Sequence, residues 1–418
     1  MQHRLKDLSR YPLLLFFLVF ILGVSLLDGY FNDREFSEME NRYLKQLPPF
    51  SWSALVQNRY TKSYEEYVND QFVFRDQWIG VKSVAEQAFL KIENNGVAYG
   101  RDGYLFPRLY PAQVAETRDN GTAFGGDIAQ ETTLTAVNAR QLEQNIQTLL
   151  RFGAQWDLPM TLGLIPNSYE VLGDKVPAGM ENAPQASIIG EVYDRLSGVM
   201  EPLDLMAPMT RSAAERQTYY RTDHHWTTDG AYAAYAAFAQ GRGLRYATLE
   251  ELAPHRREVP GFLGTSYSKT KNLGAVPDTL VWYDLPGVDM TVDGEKTVTQ
   301  GQSGPVDITG MYQQELFQRR DKYAAFLYGN HGLTVLKSGN NLNHSPDSTS
   351  RLLLVKDSYG NCLAPFFTYS YDEVVVVDLR ALPGQMSRLL AETEFDDILI
   401  LYNFSTFHQD RDLSRLNF

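Results

Sequence analysis

The stretch Arg351–Gly360, RLLLVKDSYG, has the sequence of a buried strand that ends in a turn. Its four apolar residues are consecutive rather than alternating, and CLAPFF (362–367) follows with the composition of a helix start. A strand that is apolar throughout is covered on both faces, as in a parallel sheet packed between helices. The stretch therefore predicts an α/β fold in which this strand delivers Asp357 and Ser358 to one edge of the sheet.

Apolar strands and helical patterns extend on both sides of this stretch. MTLGLIP (160–166) lies upstream, and EVVVVDL (373–379) and DDILILYNF (396–404) lie downstream, with helical spacing between them. We therefore predict an α/β domain from 136 to 418 with a mainly parallel sheet. Residues 31–135, which precede it, are predicted to form a helical and loop lead-in that packs on this domain.

One segment, Pro260–Asn343, interrupts this alternation. Stretches such as TLVWYDLPGVDMTVDG (279–294) have the pattern of short antiparallel strands joined by glycine turns. We interpret residues 260–343 as a β-rich insertion. Because loops at strand ends build functional sites, we expect the insertion to lie near the site.

The N-terminus carries a basic segment followed by an apolar run. Three basic residues precede an uncharged run from Leu13 to Leu27, which the flanking Tyr11 and Tyr30 extend to about 20 residues, enough to span a bilayer. Basic residues before such a run favour a cytoplasmic N-terminus with the rest of the chain outside. We predict that residues 1–30 form a cytoplasmic n-region and a single-pass signal anchor in the cell membrane. A cleaved signal peptide and a buried core helix are the alternatives.

Charge and cysteine content narrow the range of partners. The 418-residue chain has a formal net charge of −13 and no basic stripe, which argues against nucleic acid. Cys362 is the only cysteine, so an internal disulfide is excluded.

Ser358 is the candidate nucleophile. A serine between an apolar strand and a helix has an exposed hydroxyl, and its backbone N–H can face a developing oxyanion. The same position also suits an ordinary helix N-cap. A nucleophilic serine needs a base, and the base needs a group that orients it, so a second segment is required.

That second segment is TDHHWT (222–227), in which Asp223 and His225 are two residues apart. In an extended segment such side chains point to the same side, so the carboxylate can orient the imidazole. His224 is then expected to point the opposite way, either as a packed histidine or as one that contacts the site residues and not the substrate. Trp226 is expected either to line the site or to belong to the core.

A metal site is the alternative for this segment. Asp-His-His also occurs in the DHH phosphoesterases, in which further aspartates complete a two-metal site. This chain has no Asp-x-Asp upstream, and its other histidines form no cluster with ligand spacing. The sequence therefore favours a Ser–His–Asp relay, with neither a metal nor a cofactor.

TDHHWT (222–227) and KDSYGN (356–361) occur in that order, together with ENRYL, NDQFVFRD, GRDGYLF, DKYAAFLYGNH and VVVVDLR. This ordered set resembles the DHHW family of SGNH-hydrolase-like proteins, over nearly the whole chain beyond the apolar run. The group includes membrane-associated polysaccharide O-acetyltransferases of alginate-type systems. The resemblance implies an SGNH-like three-layer sandwich.

The resemblance also implies roles for individual residues. Ser358 matches the nucleophile of the SGNH "GDS" block, and Asp223 and His225 match the Asp-x-His pair of the acetyltransferases. Asn403 lies where the block III asparagine would help to form the oxyanion hole. Lys356 departs from the pattern, because it stands where the family has glycine, and no clear block II glycine is present.

These features predict a membrane-anchored enzyme that transfers acetyl groups to a cell-surface or secreted polysaccharide through a serine acyl-enzyme. The resemblance further implies a multi-span membrane acyltransferase as the source of the acyl group. A carbohydrate acetyl esterase is one alternative, because it would use the same acyl-enzyme. An inactive, anchored glycan-binding or assembly protein that kept the fold is the other.

Overall fold

The computed structural model describes residues 11–37, 42–111, 136–272, 274–299, 304–382 and 384–418. The predicted cytoplasmic n-region, residues 1–10, lies outside the described residues. The α-helices are α1 (Pro12–Tyr30), α2 (Trp52–Val56), α3 (Arg59–Gln71), α4 (Arg75–Ala88), α5 (Ala139–Gln155), α6 (Ser168–Val171), α7 (Gln185–Leu196), α8 (Met206–Glu215), α9 (Thr228–Gly241), α10 (Leu249–Leu252), α11 (Thr265–Thr270), α12 (Gly360–Phe367), α13 (Met386–Glu392) and α14 (Phe404–Phe407).

The strands are short at the N-terminal end of the chain and longer beyond it. They are β1 (Phe36–Ser37), β2 (Arg42–Tyr43), β3 (Glu93–Asn94), β4 (Val97–Tyr99), β5 (Leu105–Pro107), β6 (Met160–Ile165), β7 (Glu201–Leu203), β8 (Arg256–Phe262), β9 (Asp278–Tyr283), β10 (Val288–Val292), β11 (Thr297–Thr299), β12 (Pro305–Asp307), β13 (Leu333–Ser338), β14 (Arg351–Lys356), β15 (Glu373–Val377) and β16 (Asp397–Asn403). The fold is therefore mixed α/β.

The chain divides into two compact units. The first runs to Lys91 and includes Ser268–Leu273, and the second comprises Ile92–Tyr267 and Gly274–Phe418. The second unit begins well upstream of residue 136, whereas the predicted lead-in ends at 135. That boundary stays a prediction.

In the first unit, α1 is a 19-residue apolar helix with no buried residue and a mean hydropathy of 2.3. Its length and composition are those of a membrane-spanning helix, and a signal sequence has the same properties. Its last turn is tied to the junction between α3 and α4, because the Asp28 carboxylate accepts a hydrogen bond of 2.9 Å from the Val73 N–H. The rings of Phe31 and Phe74 make an edge contact at the same place.

The second unit is built on a seven-stranded sheet with the order β10-β13-β15-β14-β16-β6-β7. The five strands from β15 to β7 are parallel to one another. Strand β13 pairs antiparallel with both β15 and β10. Every residue of β6 and β16 is buried, as is every residue of β14 and β15 after the first. Because successive side chains point to opposite faces, unbroken burial means that both faces are covered.

The β-rich segment 260–343 contributes to this sheet and does not stand apart from it. Its strands β10 and β13 extend the sheet beyond β15, and the antiparallel pair β11–β12 lies within the segment. The segment therefore contains antiparallel strands. Their addition to the parallel sheet depends on long-range pairing with β15.

Strands β14 and β15 end beside each other and are joined by a buried ion pair. Lys356 Nζ, on the last residue of β14, lies 3.2 Å from the Asp378 carboxylate that follows β15, with side chains 2% and 1% exposed. The half-exposed Arg380 also binds Asp378. Gly360 allows the turn from β14 into α12 to close, since a Cβ there would lie 2.6 Å from the Lys356 Cβ.

Candidate active site

The segment that contains Asp223 and His225 is a closed loop and not an extended strand. Tyr219 and Trp226 form an antiparallel bridge, and the Tyr220 N–H donates to the His225 carbonyl at 3.2 Å. Within the loop, the His225 N–H donates to Asp223 Oδ1 at 2.9 Å. A side chain that binds the backbone two residues on forms an Asx turn, which fixes the aspartate. The expected extended geometry was wrong, although the two side chains do meet.

Trp226 ties this loop to the segment that follows Ser358. Its side chain is fully buried, and Nε1 donates to the Tyr359 carbonyl at 3.0 Å. Thr227 then caps α9, since its hydroxyl accepts from the Gly230 N–H at 3.3 Å. Because α9 packs against α12, the two helices that begin at the two motifs bring the motifs together.

Asp223, His225 and Ser358 form a continuous hydrogen-bonded relay. Asp223 Oδ1 lies 2.6 Å from Nδ1 of His225, and Nε2 of His225 lies 2.8 Å from Oγ of Ser358. Asp223 and His225 are buried, whereas Ser358 is half-buried. These are the distances and the order of contacts by which a base activates a serine and a carboxylate orients the base.

Thr265 binds the second carboxylate oxygen of Asp223. The sequence had not predicted this contact. The backbone N–H and the hydroxyl of Thr265 donate to Oδ2 at 2.7 and 3.0 Å. Burial raises the pKa of Asp223, but the nearby His224 and His225 and these hydrogen bonds outweigh it and hold the pKa well below its usual range. The approach is close because position 264 is glycine, where a Cβ would lie 2.2 Å from Oδ2.

The imidazole of His225 is held between two rings. Tyr323 stacks on it at 3.9 Å with 12° between the planes, and the His224 ring lies at 3.8 Å with a 39° tilt. Two rings with centroids this close cannot share one face, so they cover opposite faces. The Tyr323 hydroxyl also donates to the Ser358 carbonyl at 3.0 Å, so one side chain touches both the base and the nucleophile segment.

The expected direction of His224 was wrong. Its Nδ1 lies 2.6 Å from the Thr265 hydroxyl and 3.4 Å from Asp223 Oδ1, so it faces the same carboxylate as His225. The bends of the loop turn both imidazoles to one side, which strict alternation along a strand would not do.

Replacing Tyr323 by leucine is expected to lower kcat for an acetyl ester by about 10- to 100-fold, since small misplacement of a base has effects of this order. Leucine removes both the stacked ring and the hydroxyl. Tyr323→Phe keeps the ring and serves as the matched control, with a smaller loss expected. Steady-state kinetics should show the loss in kcat with KM little changed. Equal losses in both variants, or a change confined to KM, would contradict a role in holding His225.

Asn403, the predicted oxyanion-hole residue, is buried at the end of β16. Its Oδ1 accepts from the Ser405 N–H at 3.0 Å and caps α14, and its Nδ2 donates to the Ile165 carbonyl at 3.1 Å. Its backbone N–H donates to the Asp357 carboxylate at 2.9 Å. Among the described residues, the backbone N–H of Ser358 donates to no protein acceptor.

Among the described residues, Asp223, His224 and His225 form a group that could hold a metal ion. One ligand atom from each lies within 4.8 Å of the others. Both ring nitrogens of His225 already lie within hydrogen-bonding distance of Asp223 or Ser358, so His225 could bind a metal only by giving up one of these contacts. The donor set therefore fits the relay better than a metal.

Cys362 does not compete with Ser358 as a nucleophile. It is buried beside Trp226 and Tyr323, and burial raises the pKa of its thiol to about 12. A thiol with so high a pKa stays protonated and unreactive near neutral pH.

Comparison with known proteins agrees with the sequence resemblance. The chain is 25% identical over 271 residues to a probable alginate O-acetylase, AlgJ, of Pseudomonas putida, a match that covers 62% of this chain and 65% of that protein, less than two thirds of its length. A similar match to the Pseudomonas syringae pv. tomato protein of the same name has 24% identity and covers 59% of each chain.

Solved structures share the fold. A crystal structure of a DHHW family protein from Eubacterium siraeum superimposes with a TM-score of 0.54 and 21% identity, covering 78% of this chain and 96% of that chain. Bacillus cereus PatB1 with a sulfonyl adduct superimposes with a TM-score of 0.50 and 17% identity, covering 66% of this chain and 92% of that chain. The family model described as DHHW protein matches residues 164–377, which include both motifs and just over half of the chain. The chain belongs to the DHHW family.

Proposed function

We propose that this protein is a membrane-anchored, extracytoplasmic O-acetyltransferase that modifies a cell-surface or secreted polysaccharide. The observation that carries the proposal is the relay in which Asp223, His225 and Ser358 are joined by contacts of 2.6 and 2.8 Å. Similarity to proteins named as probable alginate O-acetylases supports a polysaccharide as the acceptor. The fold that we assign is the SGNH-like three-layer sandwich.

In the first half-reaction, Ser358 Oγ attacks the carbonyl carbon of the acetyl donor while Nε2 of His225 accepts the hydroxyl proton. Collapse of the tetrahedral intermediate breaks the bond between the acyl carbon and the leaving oxygen. That oxygen takes the proton from Nε2 and departs as an alcohol. Asp223 keeps Nδ1 protonated and stabilises the imidazolium that forms in between.

In the second half-reaction, a sugar hydroxyl attacks acetyl-Ser358 and gives its proton to Nε2 of His225. Ser358 leaves and regains that proton, and the product is an acetylated sugar. The free backbone N–H of Ser358 is the oxyanion donor in this proposal, with Asn403 as the second. Since the Asn403 amide binds Ile165 and Ser405, its contribution requires the second Nδ2 hydrogen or a small rearrangement.

The proposal includes a location and a division of the chain. Residues 1–30 form the n-region and anchor, residues 31–135 form the lead-in, and 136–418 form the catalytic domain with its β-rich segment at 260–343. The exposed apolar helix α1 supports a single-pass anchor. A multi-span membrane acyltransferase would supply the acetyl group on the same membrane.

The full-length chain in detergent micelles, given an activated acetyl ester, should release acetate slowly. A matching oligosaccharide should become acetylated at the expense of that release, because a transferase places a sugar hydroxyl at the acyl-enzyme in preference to water. Mass spectrometry of the oligosaccharide alongside free acetate measures both products, with Ser358→Ala as the control.

Three other results would change the assignment. Rapid acetate release without acetylated sugar across a broad glycan panel would indicate a carbohydrate acetyl esterase. No turnover, with Ser358 unlabelled by a serine-reactive phosphonate, would indicate an inactive glycan-binding or assembly protein. Activity lost to a chelator and restored by a divalent ion would indicate that Asp223, His224 and His225 bind metal.

A further inference from the structure

Helix α4 (Arg75–Ala88) in the first unit exposes most of its large apolar side chains and buries a glycine and a serine. Its buried residues are Gly80 and Ser83, whereas Trp78 and Val81 are 46% and 58% exposed. A helix of a globular unit normally turns its apolar stripe towards the core. The reversed arrangement of α4 indicates a second apolar environment outside the unit.

Most of the exposed apolar residues of α4 lie along one face, and the exposed Val84 lies beside it. Trp78, Val81 and Ala85 follow one another at spacings of three and four, which places them in a single row on the helix. Phe74 directly precedes the helix as its N-cap, and these four residues are here called the α4 stripe. Phe74 is 48% exposed. The two aromatic side chains of the stripe, Phe74 and Trp78, lie at the N-terminal end of α4.

This end of α4 is fixed to the end of α1. The Phe74 ring contacts the Phe31 ring at 5.6 Å, directly after the last residue of α1. Asp28 binds the Val73 N–H, and Arg34 forms an ion pair of 2.9 Å with Asp76. The α4 stripe therefore begins where the apolar helix ends.

We propose, on the basis of the proposed membrane anchor, that the α4 stripe lies in the bilayer interface and contacts the boundary between lipid headgroups and acyl chains. Aromatic side chains concentrate at this depth, and interfacial helices bury an apolar face by about 5–10 Å. Since Phe31 follows α1 directly and contacts Phe74, a membrane-spanning α1 brings the Phe74 end of the stripe to this depth. Lipid is preferred over a protein partner because the stripe is continuous with the helix that would enter the bilayer.

The charges of α4 indicate which lipid chemistry the stripe would meet. Arg75 and Lys82 are balanced by Asp76 and Glu86 within the same helix. Attraction to anionic headgroups would need an excess of basic residues. Binding should therefore rest on apolar contact, and zwitterionic phosphatidylcholine should suffice.

Intrinsic tryptophan fluorescence can test this inference in the full chain reconstituted into phosphatidylcholine vesicles. Trp226 and Trp282 are buried, Trp156 is half-buried in the second unit and stays as a constant background, and the exposed Trp52 is removed by Trp52→Phe in every sample. In this background, phosphatidylcholine brominated near the headgroup end of its chains should quench part of the emission. Adding Trp78→Phe should abolish that quenched, blue-shifted part. Anionic lipid and added salt should change neither result.

Val81→Glu is the matched disruption, because it places a charge in the stripe at an exposed position. It should remove Trp78 quenching while the protein stays with the vesicles through α1. If alkaline carbonate leaves the chain in the membrane but brominated lipid does not quench Trp78, the lipid contact is wrong and the anchor stands. Protection of Trp78 from aqueous acrylamide without lipid quenching would assign the stripe to a protein partner. Release of the chain by carbonate would overturn both the anchor and the inference.

Discussion

Replacing Ser358 by alanine should lower acetyl-ester turnover by about 10⁴-fold or more, and so should replacing His225. Asp223→Ala should also reduce turnover severely. The losses should not add, because the three groups act as one unit: without Ser358 there is no proton for His225 to accept. Steady-state kinetics of the single variants and of Ser358→Ala/His225→Ala would measure this.

Asp223→Asn gives a sharper version of the same experiment. An asparagine amide can donate to Nδ1 of His225, which would move the ring proton to Nε2, where it faces Ser358 and blocks the base. His224→Ala is the control within the loop and should be milder, because His224 contacts Thr265, Asp223 and the ring of His225, whereas the nitrogen that lies 2.8 Å from Ser358 Oγ belongs to His225. A loss in His224→Ala as large as in His225→Ala, together with a tolerated Ser358→Ala, would exclude the serine relay.

Replacing Asp378 by alanine should lower the free energy of unfolding by about 3–5 kcal/mol, the usual effect of leaving a buried charge without its partner. Lys356 is 2% exposed and its ammonium would lose its carboxylate. Burial lowers the pKa of Lys356, and the negative charge of Asp378 opposes this shift. Asp378 therefore stabilises the charged form of the lysine. Urea unfolding of the full chain in detergent micelles would give the value.

A second substitution distinguishes the loss of stability caused by the unpaired buried charge from the loss caused by missing packing. Lys356→Met in the Asp378→Ala background should recover part of the stability, because no buried ammonium remains. Arg380→Ala alone should cost less than Asp378→Ala, since Arg380 is 42% exposed and Lys356 still neutralises Asp378. If the double variant is no more stable than Asp378→Ala, the ion pair does not explain the loss.

The parts of the site that were predictable are those set by local sequence. Unbroken apolar strands predicted the parallel sheet, and Ser358 directly after one of them was expected at the carboxyl edge. The two-residue spacing of Asp223 and His225 predicted that their side chains meet. The spacing did not predict the backbone conformation, because an Asx turn and an extended strand both bring these two side chains together. The direction predicted for His224 was wrong because it assumed the extended strand.

Contacts between residues that are far apart in the sequence could not be predicted from local patterns. Thr265 binds Asp223 across 42 residues, and Tyr323 reaches Ser358 across 35. Neither side chain belongs to a recognisable catalytic spacing, and both lie within residues 260–343, the segment interpreted as a β-rich insertion. Gly264 before Thr265 was the available signal, because a glycine at a helix start allows a close backbone approach.

The rings on both faces of His225 limit how that imidazole can move. With Tyr323 at 3.9 Å and His224 at 3.8 Å, the ring cannot turn over to exchange its two nitrogens. In the proposed reaction, the same Nε2 must then serve the departing alcohol and the arriving sugar hydroxyl, so the two would occupy one position in succession. The acetyl transfer that we propose would therefore follow a substituted-enzyme order, in which the spent donor leaves before the acceptor enters.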